Sequence, residues 1–241
     1  MTMLDCAQAL SACKNNKRPV LLLDTCSLLD ILRDPTREKF GPNRARAAQE
    51  ILHRIESKPP DLTVVLAEQV VNELKDHKEK IKGECDRVLR KLDDSLARVL
   101  GVAEAYGATC NGASLLSFTQ TNLSTLADKV VDRYISSAIV VKEEHDFVTR
   151  ASDRVKRGIR PARRGKQSFK DYLITETYLE FGRVAVGDGF SEKMVFLSSN
   201  TEDYTDGSKK KLHDDLTSDF CNAGLQFEVD ILAVRYGIGI P

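Results

Sequence analysis

The chain has 241 residues, enough to bury the core of one large domain or of two small ones. Hydrophobic residues make up 41% of it and charged residues 30%, a balance that is typical of globular proteins and excludes an intrinsically disordered chain. Lysine plus arginine equals aspartate plus glutamate, 36 against 36, so the overall charge favours neither an acidic nor a basic partner.

Cysteine and histidine spacing argues against a zinc site or a disulfide framework. The six cysteines contain no CxxC pair and the four histidines contain no HxxxH pair, a pattern typical of reduced thiols. No apolar run approaches the roughly 20 residues that span a bilayer, and the N-terminus lacks the order of a secretory signal. We therefore expect a cytoplasmic protein with no membrane partner.

The first half of the chain alternates between helical patterns and short apolar runs. Pro42 suits the beginning of a helix. The predicted elements are, in chain order, a helix over 4–14, a strand over 19–24, a helix over 42–57, a strand near 62–67, and a helical pattern with interruptions from about Glu68 to about residue 105.

The second half continues in the same way. The predicted elements are a helix over 123–145, a loop broken by Gly158, Pro161 and Gly165, a helix over 169–182, a strand over 193–199 and a last strand over 225–238. Helices between short, continuously apolar strands predict an α/β fold with a central, mostly parallel sheet flanked by helices on both faces. The helical material over 76–150 exceeds what one crossover needs, so we predict a single domain over 1–241 with an inserted helical subdomain at 76–150.

Polar side chains stand where the predicted strands end and where the next helices begin. Asp24 ends the run VLLL, whereas Asn200 and Asp203 follow the run VFLSS. Glu73 lies in the second turn of one helix and Asp171 opens another, on a stripe with apolar residues that face the sheet. Ligands bind an open parallel sheet at the carboxyl ends of its strands, so we expect these side chains to share one edge.

Crowded carboxylates repel one another unless cations neutralise them, and hard oxygen ligands suit Mg²⁺ or Mn²⁺. Each residue also has a purely structural interpretation. Asp24 can end a strand in a turn, Glu73 can lie on a solvated helix face, Asp171 can stabilise a helix N-terminus, and Asn200 and Asp203 can form a turn.

Four segments together resemble the motifs of PIN-domain nucleases, a family of metal-dependent ribonucleases that includes many prokaryotic toxins. The segments are, in order, LLLDTCSLLDIL, AEQVVNEL, DYLITETYLE and FLSSNTEDY. The resemblance covers about 20–34, 62–76 and 165–206, whereas the long middle region and the N-terminal helix do not match a minimal PIN domain.

The resemblance implies a site and a reaction. It makes Asp24, Glu73 and Asp171 metal ligands, completed by Asp203 or Asn200, where many members have an aspartate. The implied cofactor is Mg²⁺ or Mn²⁺, and the implied reaction is hydrolysis of RNA phosphodiester bonds, with Asp24, Glu73, Asp171 and Asp203 as the catalytic residues. Thr25 or Ser27 would hold a water at the metal, and Glu176 would be a further contributor.

A basic segment precedes the Asp171 helix. Residues 154–166, RVKRGIRPARRGK, contain seven basic residues and no acidic one. Such a cluster favours sequence-independent contacts with phosphates, so we expect RNA, single-stranded or structured, as the partner. The residues expected to contact it are Arg157, Arg160, Arg163, Arg164 and Lys166. A solvated loop or a dock for an acidic protein is the alternative interpretation.

Two other functions are consistent with the same residues. A PIN-like fold can bind nucleic acid or a protein without cutting, and Asn200 in place of an aspartate favours that alternative. The chain can also be a toxin that an antitoxin holds inactive, with the helical insertion as the dock.

Overall fold

A six-stranded, all-parallel sheet forms the centre of the computed structural model, which describes residues 2–14, 17–37, 41–108, 117–161, 169–208 and 210–238. The strands are β1 (Met3–Leu4), β2 (Val20–Leu23), β3 (Thr63–Ala67), β4 (Ile139–Val141), β5 (Met194–Leu197) and β6 (Leu225–Glu228). Their order across the sheet is β1-β4-β3-β2-β5-β6. The predicted α/β fold with a central parallel sheet is confirmed.

Helices cover both faces of the sheet. They are α1 (Cys6–Lys14), α2 (Thr25–Leu32), α3 (Pro42–Glu56), α4 (Glu68–Ala105), α5 (Leu123–Ser137), α6 (His145–Arg157), α7 (Phe169–Gly187), α8 (Thr201–Tyr204), α9 (Asp214–Asn222) and α10 (Ile231–Gly237). Helix α7 packs against α1, α6 and α9, whereas α5 packs against α2 and α3, and α3 against α10. Every residue of β2 and β5 is buried, as expected for strands covered on both faces.

The chain reverses its direction across the sheet at β2. From β2 it proceeds to β3 on one side, and after β5 it proceeds to β6 on the other. Strands β2 and β5 pair in register from Val20 with Met194 to Leu23 with Leu197. The loops that leave their carboxyl ends therefore diverge, and this switch point is where open α/β sheets bind ligands.

Several predicted elements differ from the structure. The helix predicted over 123–145 ends at Ser137, and residues 139–141 form β4. Residues 145–157, predicted as loop, form α6, and the last strand ends at Glu228 instead of continuing to residue 238. The carboxylate of Asp230 accepts a hydrogen bond of 3.1 Å from the Leu232 amide, so it caps α10 and stops the strand pattern.

Helix α4 is continuous from Glu68 to Ala105, without the predicted interruptions. Its buried residues end at Leu89, whereas Val99 and Val102 are exposed. The segment 76–150 contains most of α4, all of α5 and also β4, which lies between β1 and β3 in the sheet. The distal part of α4 thus extends beyond the core, whereas residues 139–141 belong to the sheet. The single domain with a helical insertion stays a prediction.

Two further sequence expectations concern the described residues. The five cysteines among them, Cys6, Cys13, Cys26, Cys85 and Cys221, are free thiols. No helix in the described part of the chain is both long and apolar enough to cross a membrane.

The Tyr178 side chain joins β2 and β3 where the two strands end. Its hydroxyl donates a hydrogen bond of 2.6 Å to the carbonyl oxygen of Leu23 and accepts one of 3.1 Å from the Ala67 amide. The side chain is fully buried on α7. It therefore sets the spacing between the ends of the strands that precede Asp24 and helix α4.

Replacing Tyr178 with phenylalanine should lower the free energy of unfolding by about 1–3 kcal/mol, because it leaves the Ala67 amide and the Leu23 carbonyl buried without this partner. Urea unfolding followed by circular dichroism measures the change. Tyr236→Phe is the matched control, since Tyr236 is 70% exposed and should tolerate the change within about 0.5 kcal/mol. Equal effects of the two substitutions would contradict the role of the hydroxyl.

Candidate active site

Asp24 stands at the end of β2 with 1% of its surface exposed. Its backbone amide donates to the carbonyl oxygen of Leu197, so the pairing of β2 with β5 continues to this residue. One carboxylate oxygen accepts from the Thr25 amide at 2.7 Å, which makes Asp24 the N-cap of α2, and the other accepts from the Ser198 hydroxyl at 2.6 Å. These contacts fix the carboxylate at the switch point.

Burial raises the pKa of Asp24 from 3.8 to about 6. The hydrogen bonds from Ser198 and Thr25 act in the opposite direction because they stabilise the carboxylate. The negative charges of Glu73 and Asp203 raise this pKa further. A bound cation would stabilise the ionised form of a buried carboxylate that has two other carboxylates near it.

Glu73 reaches the site through Thr25. The Thr25 hydroxyl donates a hydrogen bond of 2.5 Å to a Glu73 carboxylate oxygen, and Glu73 is half-buried on the second turn of α4. Thr25 thus binds the Asp24 carboxylate through its amide and the Glu73 carboxylate through its hydroxyl. This residue orients two of the predicted ligands at once.

Asn200 and Asp203 lie at the beginning of the short helix α8, just after β5. The Asn200 side-chain amide donates to one Asp203 carboxylate oxygen at 2.9 Å. The other carboxylate oxygen, Oδ1, is buried and has no hydrogen-bond partner in the described structure. Asp203 itself is 8% exposed. A buried carboxylate oxygen without a partner is costly unless a cation or a water satisfies it.

Asp171 lies in the first turn of α7 and is half-buried. Burial raises the pKa of Tyr204 well above its ordinary value, and the charges of Asp24 and Asp171 raise it further. The Tyr204 hydroxyl lies 3.4 Å from the Asp171 carbonyl oxygen and 3.1 Å from the Thr175 hydroxyl. The Tyr204 side chain therefore connects α8 to the first turns of α7.

The structure brings the predicted residues to one edge without forming a closed metal cage. Among the described residues, no lysine or arginine forms an ion pair with Asp24, Glu73 or Asp203. No three acidic, histidine or cysteine side chains of the described chain are close enough to hold a metal on their own. Besides the carboxylates, the oxygen atoms near this edge that could contact an ion belong to the hydroxyls of Thr25, Ser27 and Ser198 and to the side-chain amide of Asn200. Mg²⁺ commonly keeps several waters and uses one or two carboxylates, so an open set of this kind suits it.

Glu176 is directed away from this edge into a buried ion-pair network. Its carboxylate accepts from Arg150 at 2.9 Å and also from Arg154, and Arg154 pairs with Asp219 on α9. Glu176 is 1% exposed. The expectation that it contributes to the metal site is wrong, because two arginines already neutralise it and join α6 to α7.

The described residues of the basic segment 154–166 lie in different environments. Arg154 is in the buried ion-pair network, whereas Arg160 contacts α8 next to the candidate site. Arg157 is exposed at the end of α6, and Gly158 closes that helix in the left-handed conformation. The Arg160 guanidinium donates to the backbone carbonyl oxygens of Glu202, at 2.8 Å, and Asp203, at 3.4 Å. Arg160 therefore places the segment beside α8. Three further predicted RNA contacts, Arg163, Arg164 and Lys166, lie outside the described residues.

Sequence reasoning missed Ser198 as a partner of Asp24. The signal for it was present, since Ser198 is the first polar residue after β5 and Asp24 is the first after β2. In a parallel pair, residues that directly follow the two strands lie side by side. The hydroxyl at position 198 was therefore placed to contact the carboxylate at position 24.

Comparison with protein families gives one clear match. A family model described as PIN domain matches residues 21–204, more than half of the chain, and this range includes all of the residues that gather at the edge. The chain belongs to the PIN-domain family. Comparisons with curated proteins and with solved structures give no match. PIN domains are generally nucleases that bind nucleic acids and usually use divalent metal ions.

The pKa of Asp24 predicts how this PIN domain responds to pH without metal. Because folding raises that pKa from 3.8 to about 6, folding favours the protonated carboxyl group. The contribution of Asp24 to stability is thus fully present below about pH 4 and is lost as the pH rises through 6. In EDTA, the free energy of unfolding of the wild type should fall by about 3 kcal/mol relative to Asp24→Asn between pH 4 and 8.

Urea unfolding at several pH values measures this difference. Ser198→Ala is the matched variant, since losing this hydrogen bond should raise the pKa of Asp24 and move the loss of stability to higher pH. A difference between wild type and Asp24→Asn that does not change with pH would contradict the assignment.

The ion pairs of Glu176 predict a second stability effect. Glu176→Gln should destabilise the protein by about 3 kcal/mol, because it leaves Arg154 nearly buried with a single carboxylate partner. Glu180→Gln is the control, since Glu180 is more exposed and its loss should cost about 1 kcal/mol or less. Thermal unfolding compares the two variants, and equal shifts would contradict a central role for Glu176.

Proposed function

We propose that this PIN domain is a metal-dependent endoribonuclease that hydrolyses RNA phosphodiester bonds at the carboxyl edge of β2 and β5. The observation that carries the proposal is the buried Oδ1 of Asp203, which has no partner among the described residues, near the buried carboxylate of Asp24. A carboxylate pair of this kind, without a protein cation among the described residues, fits a divalent ion. The ribonuclease assignment also rests on the resemblance of the sequence motifs.

The residues that would hold the ion are Asp24, Glu73, Asp171, Asn200 and Asp203. All of them offer hard oxygen atoms, the donors that Mg²⁺ and Mn²⁺ prefer. A divalent ion at such a site supplies activated water near neutral pH and stabilises the charge on the leaving oxygen.

The protein contributes orientation. Ser198 and the Thr25 amide fix the Asp24 carboxylate, while the Thr25 hydroxyl fixes Glu73. Asn200 turns the Asp203 carboxylate so that one oxygen is held and the other is available. Partners of this kind commonly change metal affinity or activity about 10- to 100-fold when they are removed.

RNA is the proposed partner. Arg160 lies against the backbone of the helix that carries Asp203, and Arg157 is exposed nearby in the sequence. Phosphate contacts from these arginines would hold the strand beside the carboxylates. The toxin role, with an antitoxin bound to the helical segment, stays a prediction.

The test is cleavage of a fluorescent single-stranded RNA with Mn²⁺. The wild type should cleave it, EDTA should abolish cleavage, and Asp24→Asn and Asp203→Asn should each lower the rate about 100-fold or more, since each removes a carboxylate at the ion. Asp61→Asn is the matched control, because Asp61 is exposed at the opposite end of β3 and should leave the rate unchanged.

Metal binding provides a second measurement. Mn²⁺ should raise the melting temperature of the wild type and of Asp61→Asn more than that of Asp203→Asn. Cleavage that persists in Asp24→Asn would indicate a contaminating nuclease. Absence of both cleavage and Mn²⁺ stabilisation in the wild type would overturn the proposal in favour of a PIN-like module that does not cut.

A further inference from the structure

A cavity of about 470 Å³ opens beside the candidate active site, between α2 and the β5–α8 connection. Its lining includes Ser27, Ser199 and Asn200, which adjoin the candidate site, and three arginines, Arg33, Arg37 and Arg44. Its position is the switch point of the sheet, where the connections that follow β2 and β5 diverge. Its volume is in the range of small-ligand sites and accommodates a nucleotide.

The cavity and the candidate active site share residues. Asn200 lines the cavity and donates to Asp203. The Ser27 hydroxyl accepts from the Ser199 amide at 3.0 Å and donates to the Leu197 carbonyl oxygen at 3.2 Å, so it joins α2 to the end of β5. If the scissile phosphate of an RNA strand lies at Asp24 and Asp203, the neighbouring nucleotide on one side can therefore enter this cavity.

The arginines of the cavity differ in how fully they are neutralised. Arg44 and Asp230 form a closed pair through two hydrogen bonds. Arg33 and Arg37 instead share one carboxylate oxygen of Asp30, each at 3.2 Å. Two positive charges on one carboxylate leave a surplus of positive charge at this wall. Glu202 also lines the cavity and is exposed.

The guanidinium groups retain donors for a ligand. The Arg33 guanidinium has a single hydrogen bond in the described structure, to Asp30. Arg37 uses its remaining contacts on the backbone carbonyl oxygens of Asp30 and Asp34. Each guanidinium has five N–H donors in a planar arrangement that suits phosphate oxygens. The side chains of Arg33 and Arg37 are 35% and 33% exposed, so a ligand in the cavity can reach them.

We infer that Arg33 and Arg37 form a subsite that binds a phosphate flanking the scissile bond of RNA. This inference rests on the proposed nuclease function, and it predicts the course of the RNA across the protein. The RNA would run from Arg160 at α8, past the carboxylates, to Arg33 and Arg37 at the end of α2. Asp30 acts as the internal competitor of that phosphate, because it occupies the same donors when no RNA is bound.

The test measures RNA binding in EDTA, where metal-dependent cleavage is absent. Fluorescence anisotropy with a labelled single-stranded RNA of about ten nucleotides gives the affinity at several salt concentrations. The double substitution Arg33→Gln and Arg37→Gln should weaken binding about tenfold and reduce the slope of log K against log salt by about 0.7, the value for one phosphate of a single strand. Arg98→Gln is the matched control, since Arg98 is exposed on the distal part of α4 and should leave both quantities unchanged.

A variant with the opposite expected effect separates binding from folding. Asp30→Asn removes the competing carboxylate, so it should tighten RNA binding about threefold even if it lowers the melting temperature. Arg33→Lys with Arg37→Lys keeps the charge and should retain the salt slope of the wild type. Circular dichroism checks that each variant is folded.

The outcomes distinguish the two proposals. Wild-type affinity and slope in the double glutamine variant, or no tightening in Asp30→Asn, would overturn the subsite. A wild type that does not bind this RNA, or that binds a poly-glutamate peptide more tightly at the same salt, would also overturn it, the latter in favour of an acidic protein partner. A wild type that binds RNA through these arginines but does not cleave it with Mn²⁺ would overturn the nuclease and leave the subsite in place.

Discussion

The burial of a carboxylate at the end of β2 is the constraint on which the rest of this structure depends. Asp24 lies where two apolar strands pair in register, and burial alone would make its charge costly. A hydroxyl and a backbone amide stabilise the carboxylate, yet its pKa is still raised, mainly because the group is buried and in addition because Glu73 and Asp203 carry like charge. The fold thus concentrates the carboxylates of Asp24, Glu73 and Asp203 at the switch point. The counter-charge that we propose for this arrangement is a divalent ion.

Helix α7 holds the other components of the site in place. Tyr178 bridges the ends of β2 and β3, and its ring packs on Phe196 of β5 with centroids 5.2 Å apart. Tyr204 packs on the other side of Phe196 at 5.3 Å and reaches back to α7 through its hydroxyl. The packed rings of Tyr178, Phe196 and Tyr204 therefore connect α7, β5 and α8 next to the carboxylates. Glu176, on the same helix, instead joins α7 to α6 through ion pairs with Arg150 and Arg154.

The positive charges of the chain serve distinct purposes that the basic segment alone does not reveal. Arg154 is directed inward to Glu176 and Asp219, where it stabilises helix packing. Arg160 is directed to the backbone of α8. Arg33 and Arg37 lie outside the basic segment, yet they face the cavity beside the site. A neutral chain can hold a polyanion because these charges are local, and phosphate contacts act at short range in salt.

The sequence by itself determined the parallel α/β architecture and the strands that precede Asp24 and Asn200, and it predicted the edge at which we propose the metal site. Continuous apolar runs and polar strand ends are local signals, and parallel order converts them into a shared edge. Only the tertiary structure decided that residues 139–141 form a strand, that Glu176 is neutralised by arginines, and that one oxygen of Asp203 has no partner in the part of the chain that the structure describes. Those outcomes depend on which distant side chains occupy the same space, and spacing along the chain carries no information about such neighbours.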